Sequence, residues 1–254
     1  MKTPVLINKV KNPAFHNYFV YLTIKEQEAL EKLPLGGFSS NECKHAQGKA
    51  YFEELLLRLA KKGRLLHLKK GRFFRPSKKG IDPLEVALSV GEKGYLSFAT
   101  ALKHDGLLDE HLSRVFVATA NKRGLLDYPN FDVELIPMGE DFYGIVDEEG
   151  MRWSTLAKTF YDCLKKPWLA GGIGKVIFAL NQAKLEKTDW LEWLYYLENS
   201  NSKSQMQKTG FLLAKTAPKW FLEVLQKSIG KKNVVFLAGK AKPVLDKEWM
   251  VYHG

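Results

Sequence analysis

The sequence is poor in the residues that build disulfide frameworks and metal sites. It has only two cysteines, Cys43 and Cys163, which lie far apart and show no metal-ligand spacing. Its six histidines are likewise not spaced as ligands on one helix face. These absences argue against a disulfide-stabilised or zinc-stabilised fold and favour a reducing compartment. We expect no bound metal and no cofactor.

Long hydrophobic runs are also missing. No stretch approaches the roughly 20 apolar residues that a membrane-spanning helix needs, and the N-terminus lacks the apolar segment of a signal peptide. The hydrophobic content of 45% is nevertheless enough to bury a core. We therefore expect a folded, cytoplasmic protein with no membrane partner. Its 254 residues are long for one domain and comfortable for two.

Recognisable catalytic motifs are absent as well. The glycine cluster 171–175 resembles a phosphate-binding loop, but such a loop needs a glycine where Leu169 stands and a serine or threonine where Val176 stands. The pattern is more typical of a glycine turn that leads into a helix. No serine or cysteine lies in a recognisable nucleophile motif. The sequence therefore predicts that the protein is not an enzyme.

Acidic residues are scarce in the first third of the chain. Residues 1–80 hold 17 lysines and arginines against 6 aspartates and glutamates, whereas residues 81–254 hold 22 against 22. Between Lys44 and Lys79, 12 basic residues face only Glu53 and Glu54. The whole excess charge of +11 is therefore concentrated at one end. This concentration predicts a surface that binds a polyanion such as nucleic acid.

Local signals in the basic third predict three helices. Thr23 and Glu26 have the spacing of a capping box, which begins a first helix. Phe38–Glu42 begins a short second helix, with Ser39 as its cap. A third helix follows the break at residues 47–49 and runs to about Lys62, because its apolar residues recur at helical spacing.

A hairpin is predicted directly after the third helix. Two short runs with strand character, 64–69 and 72–75, flank Lys70-Gly71, which is a hairpin turn signal. Three helices followed by a small hairpin are the elements of a winged helix-turn-helix. In that fold the third helix enters the major groove of DNA and the hairpin contacts the phosphate backbone.

This geometry assigns roles to the basic residues. Side chains near the N-terminal end of the third helix reach base edges, where a glutamine can read adenine. Cations further along the helix and at the hairpin tip contact phosphates without sequence preference. The predicted DNA-binding residues are Lys44, Gln47, Lys49, Tyr51, Arg58, Lys61, Lys62, Lys69, Lys70 and Arg72.

Two other interpretations of this surface stay open. The basic residues could form an ordinary solvated surface, or the winged helix could bind another protein. Glu54 on the outward face repels phosphate unless it accepts from a cytosine amino group, and Tyr51 could equally pack in the core. The clustering of 12 basic residues against 2 acidic ones favours duplex DNA.

The rest of the chain predicts a larger α+β domain with a mainly helical C-terminal half. Asp82 and Pro83 begin a helix, because aspartate caps helices and proline suits the first helical position. Further helices are expected at 96–102, 154–164, 173–184, 190–197, 205–214 and 218–229, and strands at 115–119, 131–136, 142–146 and 234–237. The expected domains are a winged helix-turn-helix over 1–80 and the α+β domain over 81–254.

Three segments of this larger domain resemble one protein family. The segment Tyr95–Leu107, followed by Val115–Thr119, is similar to the conserved block of AbiEi-type antitoxin regulators. These proteins are the antitoxins of type IV toxin–antitoxin, or abortive infection, systems. Residues 153–180 and the ending 235–249 resemble two further parts of that family. The basic third is similar to its DNA-binding domain.

The resemblance implies a transcriptional repressor that regulates its own operon. Its winged helix would bind double-stranded DNA at an inverted repeat in its own promoter. Its C-terminal domain would counteract a nucleotidyltransferase-like toxin, without forming a stable complex with it.

Two alternative functions stay open. An orphan winged-helix regulator would keep the same fold without a toxin partner, and the sequence does not separate it from an antitoxin. A nucleotide-binding enzyme tethered to DNA has support only from the glycine cluster and scattered carboxylates. The oligomeric state also stays open, because an inverted repeat needs two copies on DNA but no apolar stripe predicts a dimer.

Overall fold

The structure, a computed structural model, describes residues 22–43, 48–230, 233–237 and 244–253. It is a mixed α+β fold with a mainly helical C-terminal half, as the sequence predicts. The chain divides into two compact units. Unit 1 comprises the described residues up to 96 with 111–142 and 147–152, and unit 2 comprises 97–110, 143–146 and the described residues from 153 onward. The domain boundary expected after residue 80 stays a prediction.

Unit 1 begins with two helices and a small antiparallel sheet. The elements are α1 (Ile24–Lys32), β1 (Gly36–Ser39), α2 (Lys49–Lys61), β2 (Leu66–Lys69) and β3 (Arg72–Arg75). Thr23 caps α1 in a capping box with Glu26, since each side chain accepts a hydrogen bond from the other residue's backbone N–H. Within the sheet, β3 lies between β1 and β2 and is antiparallel to both.

One apolar cluster joins these helices to the sheet. Leu55, Leu56 and Leu59 lie on one side of α2 and are buried, as their helical spacing predicts. They belong to the same buried cluster as Phe38 of β1 and Phe73 of β3. Burying each such side chain is worth roughly 1.5–3 kcal/mol, so this cluster fixes α2 against the sheet and leaves its opposite side to solvent.

The first helix, the third helix and the hairpin are confirmed, but the short second helix is wrong at its start. Phe38 and Ser39 lie in β1, and residues 40–43 form turns. The Ser39 N–H still donates to the Glu42 carboxylate at 2.9 Å, which is the capping pattern that suggested a helix. The strand forms instead because it pairs with β3, a partner far along the chain that local signals do not reveal.

The larger sheet of the fold follows a third helix. These elements are α3 (Pro83–Gly91), β4 (Tyr95–Leu96), β5 (Arg114–Thr119), β6 (Gly124–Tyr128), β7 (Phe131–Pro137), β8 (Ile145–Glu148) and β9 (Met151–Ser154). The strand order is β6-β7-β5-β4-β9-β8, with β5 and β7 parallel. The helix α3 packs against β5 and also against β1. Its last residue must be small, because a Cβ on Gly91 would lie 2.6 Å from Val117.

The predicted helix after Asp82 and the strands at 115–119 and 131–136 are confirmed. Leu96 was expected in a helix and lies in β4, and the strand expected at 142–146 begins only at Ile145. The strands β6 and β9 are not among the predicted elements. Both are short, and their pairing partners rather than their own sequence patterns define them.

Unit 2 is mainly helical. Its helices are α4 (Ala99–His104), α5 (Leu156–Lys165), α6 (Ile173–Gln182), α7 (Lys187–Asn199), α8 (Lys203–Leu213) and α9 (Lys219–Ile229), and β10 (Val235–Phe236), β11 (Val244–Asp246) and β12 (Val251–His253) form a sheet of order β10-β12-β11. The five predicted helices from 154 onward are confirmed. Stacked aromatic rings fill the core: Trp193 lies 5.7 Å from Trp190 and 5.9 Å from Phe160, centroid to centroid. Among the helices of the described ranges, none combines the length and the apolar character that crossing a membrane requires.

A fully buried ion pair lies inside unit 2. The Lys158 ammonium donates to the carboxylate of Asp162, one turn later on α5, and neither side chain is exposed to solvent. Asp162 also accepts a hydrogen bond of 2.8 Å from the Ser97 hydroxyl. The Lys158 ammonium also lies near two aromatic rings, 5.1 Å from the centroid of Tyr143 and 5.0 Å from that of Tyr161. Hydrogen bonds and aromatic faces therefore replace the water that both charges lose on folding.

Candidate nucleic-acid interface

The solvent side of α2 carries the predicted helix contacts that the structure describes. Lys49, at the start of the helix, and Tyr51, Arg58 and Lys61, away from the buried leucines, are all exposed. Tyr51 is 41% exposed and is therefore not a core residue. The other two predicted contacts at this end, Lys44 and Gln47, lie outside the described residues.

Arg58 interacts with two neighbours on the same helix. Its guanidinium lies 3.4 Å from the Glu54 carboxylate and 5.9 Å from the centroid of the Tyr51 ring. Pairs of this exposed, one-turn type are worth only about 0.3–0.5 kcal/mol. Glu54 therefore lowers the local charge without fixing Arg58, whose guanidinium stays accessible to an anion.

Lys62 has a different environment from the other predicted helix contacts. Its ammonium lies 2.6 Å from the Glu26 carboxylate on α1, and the Glu26 side chain is buried. The hydrogen bond from Lys62, helped by those from Thr23, lowers the pKa of Glu26 from 4.5 to about 2. Lys62 therefore ties α2 to the capping box of α1, which is a structural role.

This tie predicts a pH-dependent stability. Glu26→Gln should lower the free energy of unfolding by about 1–2 kcal/mol at neutral pH, because it removes a charge-assisted hydrogen bond. The folded-state pKa of Glu26 is depressed, so its contribution is fully present above 4.5 and is lost as the pH falls toward 2. Denaturant unfolding followed by circular dichroism at several pH values should show wild type and variant converging between pH 4.5 and 2. A difference that stays constant with pH would contradict the role of the ion pair.

The hairpin places its three predicted cations in two environments. Lys70 is exposed at the turn, where Gly71 adopts a φ of +70° that favours glycine. Lys69 and Arg72 flank the turn and pair instead with Glu92, at 2.6 and 3.8 Å. Arg72 also donates to the backbone carbonyl of Ser89 at 3.0 Å. Of these three cations, Lys70 is therefore the one that extends from the hairpin tip without pairing with Glu92 or Ser89.

Two residues of this region were not assigned by sequence reasoning. Leu57 lies on the solvent side of α2 and is 42% exposed, so an apolar side chain interrupts the basic face. Helical spacing leaves Leu57 out of the buried stripe, but a count of basic residues does not draw attention to an apolar side chain. Arg75 counts toward the basic cluster, but its guanidinium donates to the backbone carbonyl of Leu33, after the end of α1.

Other sequence candidates for chemistry have ordinary structural roles. Gly171 and Gly172 have positive φ and lead into α6, as the glycine-turn interpretation predicts. The ammonium of Lys175, which a phosphate loop would aim at a nucleotide, lies 2.5 Å from the carboxylate of Glu110.

Burial raises the pKa of the Cys163 thiol well above its usual value. No group of three His, Cys, Asp or Glu side chains within the described residues could hold a metal ion.

Comparison with known proteins concerns the architecture rather than this surface. No protein-family model matches the sequence, and no curated protein matches it. The chain is similar to the crystal structure of the RV2827C protein from Mycobacterium tuberculosis, with a TM-score of 0.58. The two proteins share a fold. The alignment covers 90% of this chain and 89% of RV2827C at 14% identity, so the likeness to RV2827C extends over most of both chains and concerns the fold alone.

Proposed function

We propose that the protein is a DNA-binding transcriptional repressor whose first 80 residues act as a winged helix-turn-helix. The observation that carries the proposal is the exposed basic face of α2. Lys49, Arg58 and Lys61 project from a helix whose opposite side is held in the core. Cations at fixed spacing on a rigid helix suit the regular phosphates of duplex DNA better than a flexible ligand.

The hairpin supports the same proposal. It follows α2 directly and packs on the same apolar cluster through Phe73. Lys70 at its turn adds a second basic point on a separate element. Winged helices bind the major groove with a recognition helix and contact the adjacent phosphate backbone with a basic hairpin on the same core.

The antitoxin role is the second part of the proposal. Its support is the resemblance of residues 95–107, 115–119, 153–180 and 235–249 to AbiEi-type antitoxins. We propose that the chain represses its own operon and that its C-terminal domain counteracts a nucleotidyltransferase-like toxin without forming a stable complex. A toxin reading frame beside the gene, whose toxicity is suppressed by co-expression of this chain, is the result expected. Absence of such a neighbour would favour an orphan regulator.

A salt titration tests the DNA-binding part. The full chain should bind a duplex from its own upstream region, with log K falling linearly against log salt by about 0.9 per phosphate contacted. A scrambled duplex of the same length should bind 10³-fold or more weakly at physiological salt. Fluorescence anisotropy of labelled duplexes measures both. Affinity that did not respond to salt, or equal affinity for the two duplexes, would contradict a sequence-specific repressor.

A further inference from the structure

Glu92 gathers cations from two distant parts of unit 1. Its carboxylate lies 2.6 Å from the ammonium of Lys69 and 2.5 Å from that of Lys122, with the Arg72 guanidinium at 3.8 Å. Lys69 and Arg72 belong to the hairpin, whereas Lys122 lies in the loop between β5 and β6. We call these four residues the Glu92 cluster. A lysine from the part of the chain with no net charge therefore lies beside the basic hairpin.

The cluster has more positive charge than Glu92 neutralises. One carboxylate faces three cationic side chains, which leaves a surplus of two positive charges. Hydrogen bonds from the Lys122 and Lys69 ammonium groups lower the pKa of Glu92 from 4.5 to about 2, so the carboxylate is ionised at every physiological pH. The Lys122 side chain is 44% exposed, so the surplus charge faces water.

The backbone around Glu92 holds the cluster in place. Glu92 directly follows the last residue of α3 and has a φ of +58°, a conformation that non-glycine residues rarely adopt and that its surroundings must stabilise. The Arg152 guanidinium donates to its backbone carbonyl, and the Arg72 guanidinium donates to that of Ser89 in the last turn of α3. The cations are thus positioned before any ligand arrives, which lowers the entropic cost of binding an anion.

We propose that the Glu92 cluster binds a backbone phosphate of duplex DNA, with Lys122 as a phosphate contact outside the basic first third. This inference rests on the proposed DNA-binding function and extends its footprint beyond the hairpin. Lys69 and Arg72 contribute as cations held by Glu92. Glu92 both positions them and opposes the phosphate, so it limits the affinity of the site.

Two single substitutions with opposite expected effects test this assignment. Lys122→Gln should weaken binding of the own-promoter duplex about 8-fold at 0.1 M salt and reduce the slope of log K against log salt by about 0.9. Glu92→Gln should strengthen binding several-fold and make the slope steeper. Lys227→Gln is the matched control, because Lys227 is an exposed lysine on α9 in unit 2 and its loss changes the net charge equally. Circular dichroism melting of each variant checks that the fold is kept.

The outcomes separate this inference from the function on which it rests. If the wild type binds no DNA, the proposed function fails and the cluster has no ligand of this class. If the wild type binds but Lys122→Gln matches Lys227→Gln, DNA binding stands and the Lys122 contact is refuted. If both cluster variants weaken binding, Glu92 only supports the hairpin and the phosphate site is likewise refuted.

Discussion

Replacing Lys49, Lys61 and Lys70 together with glutamine should weaken binding to duplex DNA by about two to three orders of magnitude at 0.1 M salt. These three lysines are exposed on α2 and at the hairpin turn. Each lost phosphate contact lowers the salt slope of log K by about 0.9, so the triple variant should lose about 2.7 from the slope. Anisotropy titrations at several salt concentrations measure the affinity and the slope in one experiment.

The matched control for this variant changes the same charge elsewhere. Lys203, Lys215 and Lys227 are exposed lysines of unit 2, and their replacement with glutamine also removes three positive charges. This control should leave the salt slope within about 0.5 of the wild-type value, because none of these lysines belongs to the proposed set of phosphate contacts. If the two triple variants lost the same affinity, net charge rather than the α2 face would explain binding.

Lys158→Met should lower the free energy of unfolding of unit 2 by about 3–5 kcal/mol. The substitution leaves the fully buried Asp162 carboxyl group without the Lys158 ammonium, with the Ser97 hydroxyl as a remaining donor. Removing one partner of a buried pair is costly because the other charge keeps its desolvation penalty. All six tryptophans of the chain lie in unit 2, so tryptophan fluorescence during denaturant unfolding reports on this unit.

The double variant Lys158→Met/Asp162→Leu separates the buried charge from the packing. With both charges gone, most of the lost stability should return, because no uncompensated charge remains in the core. The coupling energy from the double-mutant cycle should then be several kcal/mol. A double variant as unstable as the sum of the two single ones would show that each side chain acts independently through its own packing.

Elements with local signals were predicted well, and elements defined by distant partners were not. The sequence alone predicts the capping pair Thr23 and Glu26 and the turn at Lys70-Gly71, because each of these signals acts within a few residues. The strand β1 depends on β3 instead. The small residue at Gly37 of β1 has a cause that is equally distant in sequence, because a Cβ there would lie 2.2 Å from the Ser89 hydroxyl oxygen on α3. That close approach is a property of the folded chain.

In the candidate interface, too, features set by local spacing were predicted and features that depend on distant partners were not. Helical spacing places Arg58 and Lys61 on the exposed side of α2, where the structure has them, and Lys49 is exposed at the start of the helix. Counting charges does not tell which cations are already paired. Lys62 pairs with Glu26 and Lys69 with Glu92, and both partners are distant in sequence. The net charge of the first third therefore overstates the number of cations that face solvent without an intramolecular partner.

The position of β3 in the small sheet determines how the hairpin would dock on the duplex that we propose as its ligand. Because β3 is hydrogen-bonded to β1 on one side and to β2 on the other, the hairpin cannot swing independently of the helices. Its conformational entropy is lost when the chain folds and not when a partner arrives. Association should therefore proceed as rigid-body docking, with on-rates governed by electrostatic steering and little change of secondary structure on complex formation.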